Sequence, residues 1–214
     1  MKLFYSRYQF TREGCFMLLV TGQDDEEINK HWMSCVVPRP IGWISTLGKD
    51  GVPNLAPYSF FNALSEKPPI VMFGSNGRHA HGAKDTARNI LETGEFVVNM
   101  ATYDLRVEVK ASSEPARPEV NEFDRVGLES EASSLVLPPR VKAAPIHIEC
   151  VLLKAVELPS EIEENLLIIG RVIGLHINDN CFTEGRIDLS KVRPLARHGY
   201  GQFAMFGETV KGVA

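Results

Sequence analysis

Apolar and polar positions follow a strand-like pattern through most of this chain, most clearly over residues 36–62. There Ile41, Trp43, Ile44 and Leu47 precede Lys49-Asp50-Gly51, and Val52, Leu55 and Ala56 come after it. Asp-Gly between two β-type runs predicts a hairpin, because glycine accepts the positive φ of a tight turn. The expected strands cover residues 35–47 and 52–61. Pro38 and Pro40 cannot donate ladder hydrogen bonds, so the first strand is expected at an edge or bulged. A short helix or turn at 27–33 leads into it. Past the Lys67-Pro68-Pro69 break, residues 70–74 are nearly all apolar and predict a strand buried on both faces.

A polar loop, SNGRHAHG, then opens a helix expected over 84–91. Ala83, Ala87, Ile90 and Leu91 recur at helical spacing, Asp85 or Thr86 is the expected N-cap, and Gly94 lies just past the end. Residues 95–100 read as a strand, and 102–111 as a short helix with Leu105 and Val109 four apart. Residues 112–145, rich in Ser, Glu and Pro, read as a long surface excursion with a turn at 122–127. Two further strands are expected at 146–153 and 166–177, where Gly170 and Gly174 permit bends. A short element at 186–192 precedes the closing segment RPLARHGYGQFAMFG. The pattern is mainly β: a barrel or strongly curved sheet carrying a few short helices.

Composition narrows the class. A chain of 214 residues suffices for one large domain with its own core. The formal charge of -4 offers no basic face for nucleic acid. Cysteines at 15, 35, 150 and 181 form no CxxC, which argues against a zinc ribbon or disulfide scaffold and suits a reducing, cytoplasmic setting. No apolar run approaches the roughly 18 residues that span a membrane. Residues 1–22 fit poorly with the rest of the chain and read as an extension, with Met17 a candidate start. The Cys15–Val20 run is too short for a signal peptide core, and an acidic cluster lies directly after it. The domain proper is expected over 23–214.

Two stretches carry candidate chemistry. The loop-to-helix junction at 78–86 offers unpaired backbone N–H groups, with Arg78, Lys84 and Thr86 beside them, and suits an anion such as phosphate. An ordinary capped helix with solvated basic residues is the plainer reading. The hairpin adds apolar area from Trp43, Tyr58, Phe60 and Phe61, with Ser45, Thr46, Asn54 and Ser59 as hydrogen-bonding groups, a mixture that suits an aromatic ring system. Core aromatics would look the same. No GxGxxG comes after a strand, and neither a phosphate-binding P-loop nor a GxSxG elbow is present. His79 with His81, and His147 with Glu149, lack further ligands, so no metal is expected. Cys35 is expected buried in a strand and His176 satisfied within the barrel. His198 and Tyr200, flanked by glycines, suit either a cover over a flat ligand or a surface tail.

Taken together, RPIGWISTLGKDGVPNLAPYSFFN, PPIVMFG and KDTARNI resemble the flavin reductase-like family of FMN-binding split-barrel proteins. The likeness is dense from residue 36 to 100 and looser toward RPLARHGYGQF. It implies a six-stranded Greek-key split barrel acting as a homodimer, with flavin near the subunit interface. FMN is the implied flavin, with FAD possible. By this resemblance Ser45, Thr46, Asn54, Ala56, Pro57, Tyr58 and Ser59 line the flavin, Lys84 and Thr86 lie near its phosphate, and Arg39 is a further member. His198 and Tyr200 are the substrate-side candidates. The implied activity is NAD(P)H-dependent reduction of flavin, with electrons passed to oxygen, free flavin or an oxygenase partner. A flavin carrier without nicotinamide activity is the alternative, and a split-barrel oxidase of another small molecule is a third. The flavin supplies the redox chemistry, so no protein nucleophile or acid–base pair is required.

Overall fold

The predicted hairpin forms. The computed structural model describes residues 8–11, 14–77, 82, 84–160 and 164–205. A two-residue strand β1 (Arg39–Pro40) precedes β2 (Gly42–Leu47) and β3 (Pro53–Tyr58), whose register pairs Thr46 with Asn54 and Gly42 with Tyr58. At the turn Gly51 has φ 83° and its N–H donates to the Gly48 carbonyl at 2.9 Å. The Asp-Gly signal is therefore met by the backbone it requires.

Five more strands complete the main sheet: β4 (Phe61–Glu66), β5 (Pro69–Ser75), β6 (Glu95–Met100), β7 (Ile146–Glu157) and β8 (Leu166–Ile177). Their order is β3-β2-β6-β7-β8-β5-β4, antiparallel throughout. The two edges, β3 and β4, are consecutive in the chain and separated only by Ser59 and Phe60. Flat strands at about 4.8 Å spacing would set the edges roughly 29 Å apart. Three Cα steps reach only about 11 Å. The sheet must therefore curl until its edges meet, although no ladder joins β3 to β4. The result is a barrel with an open seam, a split barrel, carrying seven ladder strands where six were expected. The extra strand is β4: the apolar run 52–61 breaks at Tyr58 and the chain crosses the seam.

Alternation along β2 builds two cores. Trp43, fully buried, packs with Leu55, Val109, Phe123 and Val141 outside the sheet. Ile44 points the other way, into the barrel with Phe73, Phe96, Val98 and Ile168. The helices around the site are α1 (Asp25–Cys35), α2 (Asp85–Thr93), α3 (Arg106–Ala111) and α4 (Glu122–Arg125). Two short strands, β9 (Leu195–Arg197) and β10 (Phe203–Met205), join β1 in a small sheet of order β10-β9-β1. A separate hairpin pairs Tyr8–Thr11 with Gly14–Met17.

Some expectations change. Cys35 is not in a strand but ends α1, and it is exposed. The main sheet starts only at Gly42, while Arg39 and Pro40 pair with Arg197 and Ala196 in the small sheet. β5 is mixed in burial rather than covered on both faces. Lys84, not Asp85 or Thr86, is the N-cap of α2, and no side chain bonds there, while Gly94 ends the helix in the left-handed region as expected.

The 112–145 excursion is not a loose surface segment. The Glu149 carboxylate, wholly buried, accepts the N–H groups of Ser134, Leu135 and Val136 at 2.6–3.0 Å and also meets His176 Nε2. Asn99 accepts the Val141 N–H at 2.8 Å, and Ser45 Oγ donates to the Pro139 carbonyl at 2.5 Å. Barrel side chains thus stitch the excursion down. Buried N–H groups need such partners, because leaving one unpaired costs about 1–3 kcal/mol.

Candidate functional site

The N-terminus of α2 faces a cavity of ≈ 270 Å³ that borders β3 and the seam. Seven of the ten cofactor-contact candidates line it: Asn54, Ala56, Pro57, Tyr58, Ser59, Lys84 and Thr86. β3 is a sheet edge, so residues of both parities reach the cavity. Sequence reasoning does not assign Gly74, Asn76, Asp85 or Glu122 to this wall, nor the 113–116 turn. Most of these come from β5 and the excursion, and only the closure of the barrel brings them to β3.

Ser45 and Thr46 lie behind the wall, fully buried. Ser45 accepts from Asn99 Nδ2 at 3.0 Å. Thr46 Oγ1 accepts from both Asn54 Nδ2 and Asn89 Nδ2, each at 3.1 Å. Asn54 Nδ2 also donates to Thr86 Oγ1 at 2.8 Å. These polar side chains weld the start of α2 to the hairpin, and they hold Asn54 in place at the cavity.

Lys84 is half-buried in the cavity wall, its Nζ 5.8 Å from the centre of the Tyr58 ring. Burial pushes its ammonium below the ordinary lysine range. Among the described residues no carboxylate neutralises it: Asp85 pairs with Arg88 at 2.5 Å instead. Burial likewise pushes Tyr58 up to about 12, against the Thr86 and Ser75 hydroxyls. A half-buried cation, the free N–H groups of a helix start and the Thr86 hydroxyl make a fitting seat for phosphate.

Arg39 is buried elsewhere. Its Nη1 donates to the carbonyls of Met33 at 2.5 Å and Val36 at 2.7 Å, and its Nη2 to that of His198 at 3.4 Å. It therefore caps the end of α1 and ties it to the C-terminal segment. Arg39 also borders a second, more apolar cavity of ≈ 410 Å³, with Trp32, Val36, Phe61, Met72 and Leu167. The two cavities share Ser59, Phe60, Gly74 and Asn76. Phe60 stacks on Trp32 with centroids 6.2 Å apart. His198 and Tyr200 line neither cavity. Tyr200 is exposed and its hydroxyl meets His31 Nδ1 of α1 at 2.9 Å. Arg78, His79 and His81 lie outside the described residues. Among the described residues no group of three His, Cys, Asp or Glu could hold a metal, and no helix is long and apolar enough to cross a membrane.

Residues 33–198 match the model of the flavin reductase like domain. An uncharacterised protein of Aquifex aeolicus is 38% identical over 192 residues, which is 89% of this chain and 96% of the relative. Among solved structures, nitrilotriacetate monooxygenase component B from Bacillus cereus superposes with TM-score 0.84 at 31% identity, covering 92% of this chain and 98% of the other. The 2-nitrobenzoate 2-nitroreductase of Pseudomonas fluorescens reaches 0.81 at 25% identity, with 93% and 96% covered. The domain match spans the hairpin, the seam, α2 and the excursion alike. This chain, with its seamed barrel and its lysine-bearing cavity at the seam, belongs to the flavin reductase-like family.

Proposed function

We propose that this chain binds FMN in the seam cavity and reduces it with NADH or NADPH. The single observation that carries the reading is Lys84: a half-buried ammonium without a carboxylate partner among the described residues, at a helix start, in the same cavity as Asn54 to Phe60. In this reading Lys84, Thr86 and the first N–H groups of α2 hold the phosphate. Asn54, Ala56, Pro57, Tyr58 and Ser59 line the flavin, and Thr46 and Ser45 support them from behind. Arg39, His198 and Tyr200 serve by holding α1, whose Trp32 walls the second cavity. The flavin, when bound, supplies the redox chemistry by taking up hydride and releasing electrons. The protein supplies position, hydrogen bonds and shelter from water. FAD fits the same chemistry with a longer tail.

The electrons go to oxygen, free flavin or an oxygenase partner; the similarity to a monooxygenase component favours the last. A second copy of the chain is proposed to cover the apolar second cavity, where Trp32 and Val36 are 44% and 54% exposed. Free Cys35, Cys150 and Cys181 suit a cytoplasmic setting. The test is anaerobic mixing of the FMN-loaded protein with NADH and with NADPH, following the visible flavin absorbance. Bleaching by either nicotinamide is the expected result. Bound flavin that neither donor reduces makes the chain a carrier, and failure to bind FMN or FAD overturns the reading.

A further inference from the structure

Glu122 is a second buried charge in the seam cavity. It opens α4, which the excursion carries against β3, and it is only 6% exposed. Its Oε2 accepts the Leu55 N–H at 3.2 Å, so it also occupies a free donor of the β3 edge. Among the described residues no ion pair holds it, although the nearby Arg125 charge favours its ionised form. Arg125, on the same helix, donates instead to the carbonyls of Ala111 and Glu114, and Lys110 pairs with Glu114 at 3.0 Å. From α2 the charged groups bordering the cavity are Lys84 and Asp85, the latter paired with Arg88; from β3 the titratable one is Tyr58, and from the 113–116 turn Glu114, paired with Lys110. Asp124, also on α4, accepts from Asn121. An anion beside Lys84 would therefore share a cavity of ≈ 270 Å³ with an unneutralised carboxylate.

We propose that Glu122 couples flavin phosphate binding to proton uptake: it takes a proton from solvent as the phosphate enters, and so makes FMN affinity depend on pH. Two anions in one small, half-open cavity repel, and protonating one of them relieves the repulsion. Lys84 alone cannot neutralise both. The direction agrees with the resting state, where burial already pushes the Glu122 carboxyl above its ordinary range. Protonated, Glu122 gains an O–H donor that can turn toward the bound phosphate while its other oxygen keeps the Leu55 N–H. The residue thus acts as a specificity element, since a flavin without phosphate gives it no reason to change state. The inference rests on the phosphate lying beside Lys84.

The experiment measures FMN and riboflavin affinity by fluorescence titration between about pH 6 and 8, for wild type, Glu122→Gln and Lys84→Ala. Calorimetry in two buffers of different ionisation enthalpy counts the protons exchanged. The free phosphate titrates near pH 6 in every variant, so the difference between variants is the readout. Expected is proton uptake by wild type on binding FMN but not riboflavin, absent in Glu122→Gln. That variant should bind FMN about tenfold more tightly near pH 8, the effect of one displaced pKa unit. An infrared band of a protonated carboxylic acid should also grow when FMN is added to wild type, a readout that needs no variant. Glu122→Gln tracking wild type at every pH, or no infrared band, overturns the proposal while leaving the phosphate site standing. Unchanged FMN affinity in Lys84→Ala removes the phosphate site and the proposal with it.

Discussion

Lys84 carries a charge that the described cavity wall does not neutralise, and that separates its loss from ordinary damage. Charge-assisted hydrogen bonds to phosphate contribute about 1.5–3 kcal/mol. Lys84→Ala should therefore weaken FMN binding roughly tenfold to a hundredfold and leave riboflavin binding and the melting temperature nearly unchanged, as titration and calorimetry would show. Glu149 is the opposite kind of charge. Burial would raise its carboxyl, but the N–H groups of Ser134 and Leu135 and the His176 imidazole outweigh that and hold it below the ordinary range. Burial lowers His147, whose Nε2 faces the Val141 carbonyl at 2.8 Å. Both folded-state values are depressed, so both contribute stability that is present above the unfolded values and lost as pH falls through the folded ones. For His147 the loss begins near pH 6.5, and for Glu149 it sets in at lower pH. Denaturant midpoints taken down to about pH 4 should fall accordingly. Glu149→Gln should cost about 2–4 kcal/mol at neutral pH and flatten the acidic part of that profile. A Glu149→Gln midpoint equal to wild type would show that the excursion is held by other contacts.

Between elements, the link from α2 to the hairpin passes through Thr46, Asn54, Thr86 and Asn89. Asn89 does not line the cavity, yet its amide donates to Thr46, which in turn receives Asn54. Asn89→Leu should lower FMN affinity severalfold, and restoring an amide as Asn89→Gln should recover part of it; unchanged affinity would mean that Asn54 needs no support. Much of this region is legible in the chain, because local chemistry decides it. Lys49-Asp50-Gly51 marks the hairpin turn, KDT opens a helix, and Gly94 closes it. Other elements depend on residues far away. β4 comes after β3 without a break in the apolar pattern, and only barrel closure separates them at Ser59. The excursion looks like solvent-facing chain until Asn99 and Glu149, distant in sequence, supply partners for its N–H groups. Val36 and Val37 extend the apolar run and make Cys35 look like part of a strand. The acidic first turn Asp25-Glu26-Glu27, a helix-start signal, is the available clue to α1. Ser45 and Thr46 are legible as partners of the site but not as its rear wall, since burial depends on which face the excursion covers.

At the scale of the whole molecule, the open seam is the feature on which the rest depends. Gly42 lies beside it, and a Cβ there would fall 2.7 Å from the Phe61 ring. Gly42→Ala should therefore displace Phe61 and cost about 1–3 kcal/mol, measurable as a lower unfolding midpoint. An unchanged midpoint would show that the seam has room to spare. Ser59 and Phe60 alone bridge the two edges, and Phe60 is further fixed by its carbonyl, which accepts the Gly74 N–H at 2.8 Å. This clasp bears on how the chain can change length. Extra residues at Asp50-Gly51 would only lengthen a solvent loop, at a cost that grows slowly with size. Extra residues between Ser59 and Phe60 would unfasten the barrel and its cavity together.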